Sequence, residues 1–555
     1  MTLLSHRILS GTVACLFLQG SLLFAASRYV SNTGGDSTHD SWLTAYTNLQ
    51  EALSGASSGD VIHVAGQLFQ VPTQINWTVS HLTFKGGYAG NEVGGLPGER
   101  DPDRWTTVIT RTAGATTRLL YVNGISQGVL DGVTLSGGYI TEQYGSGLYV
   151  NNSALTVTNC VIRANRINHA SGAGAGLAVI NGGVRVTESV IDLNVTQGGT
   201  HLGSGIYINN GTHSVEHSVI ANNYSLGTSF GDGLYIVGAT ANMTVFNSLI
   251  TGNHRDGVHV QTAGAVAGIV HSTITGHSRY GLNRVAGTVT VENSILWGNN
   301  ADILGTVTAS YCLLGAGTAG IGSNGNITGD PLFECGLYLG NGSPAIDLGN
   351  GTAGLSGLTG RTTRLSGAVD DGVVDIGYHF IPGIPAGAAN RYAAYDSGLS
   401  DIYVSPAGDD GNGGMTVGDA FRSITRALAV AGTGSRIHVA AGNYTNGVET
   451  FPIQMTRYGV QLLGAGAGTT VVNAAGSGTR ALQTIGLAGG GARIEGITFT
   501  GGSVGTTTAY SSYTDDHFGA RRGGGLNLVN SVMVLEGLVV TNNNVSPGGN
   551  DAAFT

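Results

Sequence analysis

Three similar stretches follow one another in the first half of the chain. They are SGLYVNNSALTVTNCVIRANRI at residues 146–167, AGLAVINGGVRVTESVIDLNVT at residues 175–196, and SGIYINNGTHSVEHSVIANNYS at residues 204–225. Each begins with a small residue and a glycine, continues with alternating apolar and polar residues, and ends near an asparagine. The alternation has a period of two, which is typical of β-strands and not of helices. Repeats of this length that consist of strands predict a solenoid.

The columns of the repeat can be followed through six units. A glycine opens each unit, at Gly147, Gly176, Gly205, Gly233, Gly257 and Gly281. A small residue recurs later in each unit, at Cys160, Ser189, Ser218, Ser248, Ser272 and Ser294. Several short strands in units of roughly 24 to 29 residues, bounded by Gly and Asn, predict an all-β fold of the parallel β-helix type.

Two further columns are polar. One is Asn165, Asn194, Asn223, Asn253, His277 and Asn299. Tight corners need φ above zero, which glycine takes freely and asparagine tolerates, so we expect the Gly and Asn columns to be structural. The other is Asn159, Glu188, His217, Asn247, His271 and Asn293, which we expect to solvate one face.

A longer repeat indicates a tandem duplication, because Ile62-His63-Val64-Ala65 recurs 375 residues later as Ile437-His438-Val439-Ala440. The first copy is predicted to span residues 28–380. A linker follows at residues 381–400, and an incomplete second copy at residues 401–555.

Segments 41–53 and 419–428 have apolar residues at helical spacing, and each is predicted to form a helix that caps the N-terminal end of its solenoid. The second copy matches only the first coil, so we expect the natural protein to be longer or this copy to be truncated.

The first 27 residues are predicted to be a signal peptide. An apolar stretch at residues 8–24 precedes the small residues Ala25-Ala26-Ser27. We therefore expect a secreted or surface-exposed protein without an integral membrane segment in the mature chain.

Composition and cysteine content narrow the class of protein. The 555 residues include 94 Gly, only 10% are charged, and the net charge is −10, which argues against nucleic-acid binding. Cys15 leaves with the signal peptide, so three cysteines remain and at most one disulfide forms within the chain. Cys312 and Cys335 are the likelier pair, and Cys160 is expected to be a small core residue.

The mature chain resembles right-handed parallel β-helix proteins of the pectin-lyase-like superfamily. Its glycine and asparagine pairs resemble the repeats of polymorphic outer-membrane proteins. Asp330-Pro331-Leu332-Phe333, Ser343 to Asp347 and Asp375 to Gly377 resemble a choice-of-anchor Q segment. The resemblance implies the right-handed β-helix and leaves activity open, because the superfamily includes lyases, hydrolases, adhesins and passengers.

Candidate site residues gather in the middle coils. The residue after the apolar one in each unit is expected to face outward, which would make Tyr207 and Tyr235 a flat aromatic strip for sugar rings. Asp232 and Asp256 would stack one coil apart, so the pKa of one of them should rise. The resulting prediction places catalytic groups at Asp232, Asp256 and His259 and ligand-binding groups at Tyr207, Tyr235 and Arg255.

Metal and cofactor sites are not predicted. By resemblance, a lyase of this fold would use a basic residue and Ca²⁺ held by several acids. Asp409-Asp410-Gly411-Asn412-Gly413 suggests calcium, but the twelfth position is Ala420, so the stretch fails the EF-hand pattern and is expected to form a turn.

The sequence favours a non-catalytic surface protein that binds polysaccharide or cell-surface glycan, or that acts as an adhesin or passenger. The alternative is a polysaccharide lyase or glycoside hydrolase, possibly on an acidic polysaccharide. Paired carboxylates are what glycoside hydrolysis needs, whereas Asp-Gly is also a common turn dipeptide.

Overall fold

The fold is described from a computed structural model. It covers residues 26–382, apart from 91–95, 103–104, 113, 319–321, 334–336 and 365, and residues 401–545, apart from 411, 413, 415, 432–434, 456–459, 486–491, 505–522 and 530–532. Nearly all of the predicted signal peptide and linker lies outside these residues.

The first copy contains one helix and 32 strands among its described residues. They are β1 (Ser27–Val30), α1 (Leu49–Gly55), β2 (Val61–Ala65), β3 (Leu68–Val71), β4 (Ile75–Trp77), β5 (Leu82–Tyr88), β6 (Thr107–Arg111), β7 (Leu120–Asn123), β8 (Gly128–Asp131), β9 (Val133–Ser136), β10 (Tyr139–Ile140), β11 (Leu148–Asn151), β12 (Ala154–Thr158), β13 (Val161–Arg163), β14 (Arg166–Asn168), β15 (Leu177–Thr187), β16 (Val190–Asp192), β17 (Val195–Leu202), β18 (Ile206–Glu216), β19 (Val219–Ala221), β20 (Tyr224–Phe230), β21 (Leu234–Val237), β22 (Asn242–Phe246), β23 (Leu249–Thr251), β24 (Asp256–Val260), β25 (Val266–Val270), β26 (Thr273–Thr275), β27 (Tyr280–Arg284), β28 (Thr288–Glu292), β29 (Ile295–Trp297), β30 (Ala301–Leu304), β31 (Thr308–Ser310) and β32 (Leu313–Leu314).

The second copy repeats this order over fewer coils. Its described elements are β33 (Asp401–Val404), a 3₁₀ helix (Val417–Asp419), α2 (Ile424–Val430), β34 (Arg436–Val439), β35 (Gly442–Thr445), β36 (Ile453–Met455), β37 (Gln461–Gly464), β38 (Thr470–Asn473), β39 (Leu482–Ile485), β40 (Ala492–Glu495), β41 (Thr498–Thr500), β42 (Ser503–Val504), β43 (Leu526–Val529), β44 (Met533–Glu536), β45 (Val539–Thr541) and β46 (Asn544–Val545).

The strands of both copies stack in parallel, one coil on the next, as a β-helix requires. In the first copy, the first face contains β4, β7, β11, β21, β24, β27 and β30, and the second face contains β1, β2, β5, β8, β12, β22, β25, β28 and β31. The long strands β15 and β18 run through both faces. The third face runs from β3 to β32, and β10, β14, β17 and β20 form a four-stranded extension. The predicted solenoid and duplication are therefore confirmed.

Apolar side chains fill the interior, and two polar ladders run along it. Asn165, Asn194, Asn223 and Asn253 are each at most 1% exposed, and the first three each donate an amide hydrogen bond of 2.9 to 3.0 Å to the next. In the Ser column, each serine hydroxyl oxygen accepts a hydrogen bond from the backbone N–H of the equivalent residue in the preceding coil. Cys160 N donates to Ser189 Oγ in this way, and Ser189 N donates to Ser218 Oγ. These ladders satisfy polar groups that burial would otherwise leave unpaired.

The conformational reason that we gave for the Gly and Asn columns was wrong. The opening glycines and the ladder asparagines have negative φ, and positive φ occurs one residue before each ladder position, for example at Leu193 and Asn222. The glycines are needed for space instead. A Cβ at Gly205 would lie 2.6 Å from the carbonyl oxygen of Gly233 and 2.7 Å from the amide nitrogen of Asn223.

The polar column expected to solvate a face does not do so. Its residues take positive φ at a corner, for example 48° at Glu188 and 49° at His217. Much of the column is covered by residues 337–380, which we name the return segment. His379 N donates to Asn247 Oδ1 at 2.7 Å, and the Arg361 guanidinium lies 3.0 Å from Glu188. The return segment therefore packs along the corner toward earlier coils.

The capping helices are shorter than predicted. Helix α1 begins after Asn48, whose side chain accepts from the backbone N–H of Gln50 and Glu51, while Tyr46 pairs with Val30 as an extended residue. Helix α2 begins after Ser423, which caps it in the same manner. The cap residue sets the start of each helix more strongly than the apolar spacing.

The expected disulfide is not formed, since Cys160 and Cys312 are both buried free thiols. Cys312 occupies the next position of the Ser column, and its thiol donates to the carbonyl oxygens of Val291 and Ser310. Burial raises the pKa of the Cys312 thiol to about 12. Cys335 lies outside the described residues.

An aromatic cluster around His63 gives the first copy a defined acid sensitivity. The His63 ring stacks on Tyr29 with centroids 5.1 Å apart and meets the edge of Tyr88 at 5.0 Å. Burial, together with the charges of Lys85 and Arg100, lowers the pKa of His63 to about 4. The unfolded chain takes up this proton near pH 6.5, so the stability that neutral His63 contributes is lost as the pH falls from 6.5 to 4.

We therefore expect His63→Phe to remove this part of the acid sensitivity. As the pH falls from 6.5 to 4, the free energy of unfolding should decrease by about 3 kcal/mol less in the variant than in the wild type. Denaturant unfolding at a series of pH values measures the difference. Ser27→Ala removes the hydroxyl 3.2 Å from His63 Nε2 and should keep the wild-type slope. A difference that does not change with pH would contradict the expectation.

Candidate functional site

The predicted column of outward residues exists on the first face. Tyr149, Ala178, Tyr207, Tyr235, His259 and Asn283 lie side by side in consecutive strands. Tyr121 precedes them in β7, and its ring stacks on Tyr149 at 5.0 Å. The register that the glycine spacing predicts is therefore confirmed.

The aromatic residues of this column do not form a surface strip. Tyr207 and Tyr235 are 5% and 4% exposed, and their rings stack at 5.9 Å with an angle of 8°. The Tyr235 ring in turn stacks on His259 at 4.8 Å. Because the rings cover one another, they do not offer a flat face to a sugar, and the expectation of an open strip was wrong.

Extra residues in the longer units cover this column. Strands β17 and β20 lie between the ladder asparagine and the next opening glycine, and Leu202 and Phe230 at their ends pack on the Tyr207–Tyr235 pair. The units spaced by 28 or 29 residues contain these extensions, whereas the following units, spaced by 24, lack them. Beyond Tyr235 the column continues with His259 and Asn283, which are 1% and 3% exposed without such an extension over them.

Asp256 holds a fully buried and fully bonded carboxylate at this position. His259 Nδ1 donates to Asp256 Oδ2 at 2.9 Å, and Asn283 Nδ2 donates to the same oxygen at 3.0 Å. The Arg279 guanidinium donates to both carboxylate oxygens, with Nε 2.6 Å from Oδ1. His259 Nε2 lies 2.8 Å from Gln261 Oε1, so both ring nitrogens are engaged.

Asp256 does not show the rise in pKa that was expected of one member of the aspartate pair. Burial opposes ionisation of Asp256, but the hydrogen bonds from His259, Arg279 and Asn283 outweigh it and lower the pKa of Asp256 to about 2. Asp232, also 0% exposed, accepts instead from the hydroxyls of Ser204 and Ser225, each at 3.0 Å. The two carboxylates have separate sets of donors.

Arg279 is the arginine that sequence reasoning missed. Arg255 was predicted to lie beside Asp256, and it is half-buried near Tyr224. Burial and the charge of Asp232 raise the pKa of Tyr224 to about 12, and the charge of Arg255 opposes this rise. Asp256 pairs in register with Tyr280, so Arg279, the residue before Tyr280, is the equivalent of Arg255 in the next coil. Aligning the next repeat unit with this one would have predicted that Arg279 lies near Asp256.

An open cleft of about 560 Å³ lies beside this network. Its aromatic lining comes from Phe230, Tyr235 and Tyr280, and its polar lining from His259, Gln261, Arg279 and Asn283. Arg279 stacks on the rings of both Phe230 and Tyr280, at 5.2 and 5.1 Å from their centroids. Of the predicted site residues, Tyr235 and His259 line the cleft, whereas Tyr207, Asp232 and Asp256 are buried and do not line it.

Calcium does not fit this cleft. The oxygens of Asp256 and Asp232 are already occupied by side-chain donors, so neither carboxylate is open to a hard cation. In the return segment, carboxylate oxygens of Asp347, Asp370 and Asp375 lie within 4.8 Å of one another. In the stretch that suggested calcium, the Asp410 carboxylate accepts from the backbone N–H groups of Arg422 and Ser423, and Asn412 N donates to Asp409 O at 3.0 Å. Gly411 and Gly413 lie outside the described residues.

Comparisons with known proteins concern the fold. Residues 406–508 match the family described as "Protein of unknown function (DUF1565)". Pectate lyase Pel9A is 15% identical with a TM-score of 0.40, over 63% of this chain and 96% of that chain. PL6 family alginate lyase AlyGC is 13% identical with a TM-score of 0.23, over 94% and 78%. No curated protein matches the chain.

The TM-scores are below 0.5, so the fold assignment depends on the parallel pairing of the strands and not on these similarities.

Within the part of the chain that the structure describes, the helices are too short to cross a bilayer, since α1 and α2 have seven residues each.

Proposed function

We propose that the first copy binds polysaccharide without catalysis, on a protein that is secreted or displayed at the cell surface. The observation that carries the proposal is the cleft, which combines aromatic edges with amide and guanidinium groups. Apolar ring atoms suit the C–H groups of a sugar, and the half-buried amide of Gln261 suits its hydroxyls. Binding pockets commonly combine an apolar lining with a few placed polar groups.

The state of the carboxylates supports binding over glycoside hydrolysis. A general acid must hold a proton at the working pH, whereas the pKa of Asp256 at about 2 keeps it ionised at neutral pH. Asp232 is 0% exposed and holds two serine hydroxyls. Hydrolysis needs two carboxyl groups that flank the scissile bond, and these two are engaged within the protein.

A glycan array followed by titration of the best ligand tests the proposal. We expect Tyr280→Ala to weaken binding by about tenfold or more, because it removes the aromatic wall beside Arg279. Tyr403→Ala is the matched control, since Tyr403 is also a half-buried tyrosine, stacked on His438 in the second copy. It should bind like the wild type.

Three results would contradict this function. The first is an array without signal, and the second is an equal loss in the Tyr280 and Tyr403 variants. The third is turnover of polygalacturonate or alginate by the wild type, measured by absorbance at 235 nm and by reducing ends, which would favour the lyase or hydrolase alternative.

A further inference from the structure

Two arginines flank a tyrosine on the four-stranded extension, away from the cleft. Tyr139 in β10 pairs in register with Arg166 in β14, one coil later. Arg111 ends β6, one coil earlier, and its Nε donates to the carbonyl oxygen of Gly137 at 2.8 Å. The central carbon of each guanidinium lies 5.5 Å from the Tyr139 ring centroid. The three side chains form a stack along the solenoid axis.

Both arginines donate hydrogen bonds to neutral groups of neighbouring chain segments. Arg111 donates to the backbone oxygens of Gly137 and Ala115, both at 2.8 Å. Arg166 donates to the side-chain amide oxygen of Gln197 at 2.6 Å. Burial lowers the pKa of Arg166, and the positive charge of Arg111 lowers it further. The two cations therefore disfavour each other, and a nearby anion would relieve this.

The stack can be reached from solvent. Arg111, Tyr139, Arg166 and Gln197 are all half-buried, and the amide nitrogen of Asn168 lies 3.4 Å from the Tyr139 hydroxyl. Arg163, three residues before Arg166, pairs with the buried Asp192 at 2.9 Å. In a chain of net charge −10, this is a local concentration of positive charge.

We propose that Arg111, Tyr139 and Arg166 form a binding site for an oxyanion substituent of a polysaccharide, a sulfate ester or a carboxylate. Guanidinium groups bind such oxyanions through paired N–H donors, and the tyrosine holds the two guanidinium groups in place by cation–π contact. The site is separate from the cleft and does not depend on ligand binding there.

Binding of dextran sulfate, polygalacturonate and neutral dextran by the full chain tests the site. We expect the wild type to prefer one or both anionic polymers over dextran, more weakly at high salt because salt screens exposed charges. Arg111→Gln with Arg166→Gln should weaken that binding at least tenfold. The polymer that binds more tightly identifies the substituent as sulfate or carboxylate.

A control pair separates the site from net charge. Arg185→Gln with Arg493→Gln also removes two positive charges, from exposed pairs with Glu216 and Glu536, and should change binding less than twofold. Equal losses in the two double variants would overturn the proposal. So would a wild type that binds neither anionic polymer better than dextran.

Gln197→Glu keeps the test valid if the arginine variants do not fold. The new carboxylate would lie beside the Arg166 guanidinium and neutralise it without removing a packed side chain. We expect a folded variant with several-fold weaker binding of the anionic polymer, and unchanged affinity would overturn the proposal. Tyr280→Ala should leave this binding intact, so failure of the cleft and failure of this site are distinguishable.

Discussion

Arg279→Met is expected to destabilise the first copy by about 3 to 5 kcal/mol, the cost of leaving a buried charge without its partner. Asp256 is 0% exposed and ionised, and it would lose the guanidinium that binds both of its oxygens. The bonds from His259 and Asn283 would remain. Methionine retains the apolar stem but removes the guanidinium that stacks on Phe230 and Tyr280, so the cost includes these cation–π contacts.

Denaturant unfolding of the full chain measures this effect, and Arg185→Met is the matched control. Arg185 pairs with Glu216 at the surface and is 51% exposed, so its loss should cost less than about 1 kcal/mol. Adding Asp256→Asn to Arg279→Met should recover part of the stability, because the remaining group is then neutral. Equal costs for the two methionine variants would show that the Asp256 carboxylate is not buried as described.

The repeat register could be predicted from sequence because it depends on local spacing. The column from Tyr149 to Asn283 was predicted residue by residue, and it pairs as expected. Stacking of coils at a constant spacing converts sequence intervals directly into neighbours in space. The same rule applied to the unit after Asp256 would have placed Arg279 beside it.

Exposure could not be predicted in the same way, because it depends on chain segments outside the column. Tyr207 and Tyr235 point away from the interior, but β17 and β20 fold over them. The polar column that includes Asn247 and His271 is similarly covered, by the return segment, more than 100 residues later in the chain. Periodicity within a unit contains no information about such coverage.

The glycine column shows how a correct pattern can have a different physical cause. Positive φ was the expected cause, and it predicts that any residue tolerant of that conformation could replace the glycine. Close approach of the coils is the cause that the structure shows, since the Cβ positions at Gly176 and Gly205 would both meet a backbone oxygen of the next coil. This cause predicts that even alanine is excluded, although its φ preferences are ordinary.

Gly205→Ala is accordingly expected to cost at least about 3 kcal/mol, at the upper end of overpacking effects. Its Cβ would lie 2.6 Å from Gly233 O and 2.7 Å from Asn223 Nδ2, and both atoms are fixed by bonds between coils. The matched control is Gly268→Ala in β25, where the nearest atom is 3.6 Å away and φ is ordinary, so stability should change little. Denaturant unfolding compares the two. If Gly205→Ala were as stable as Gly268→Ala, the coils would have room for a Cβ at this column, and close approach would not be the reason for the glycine.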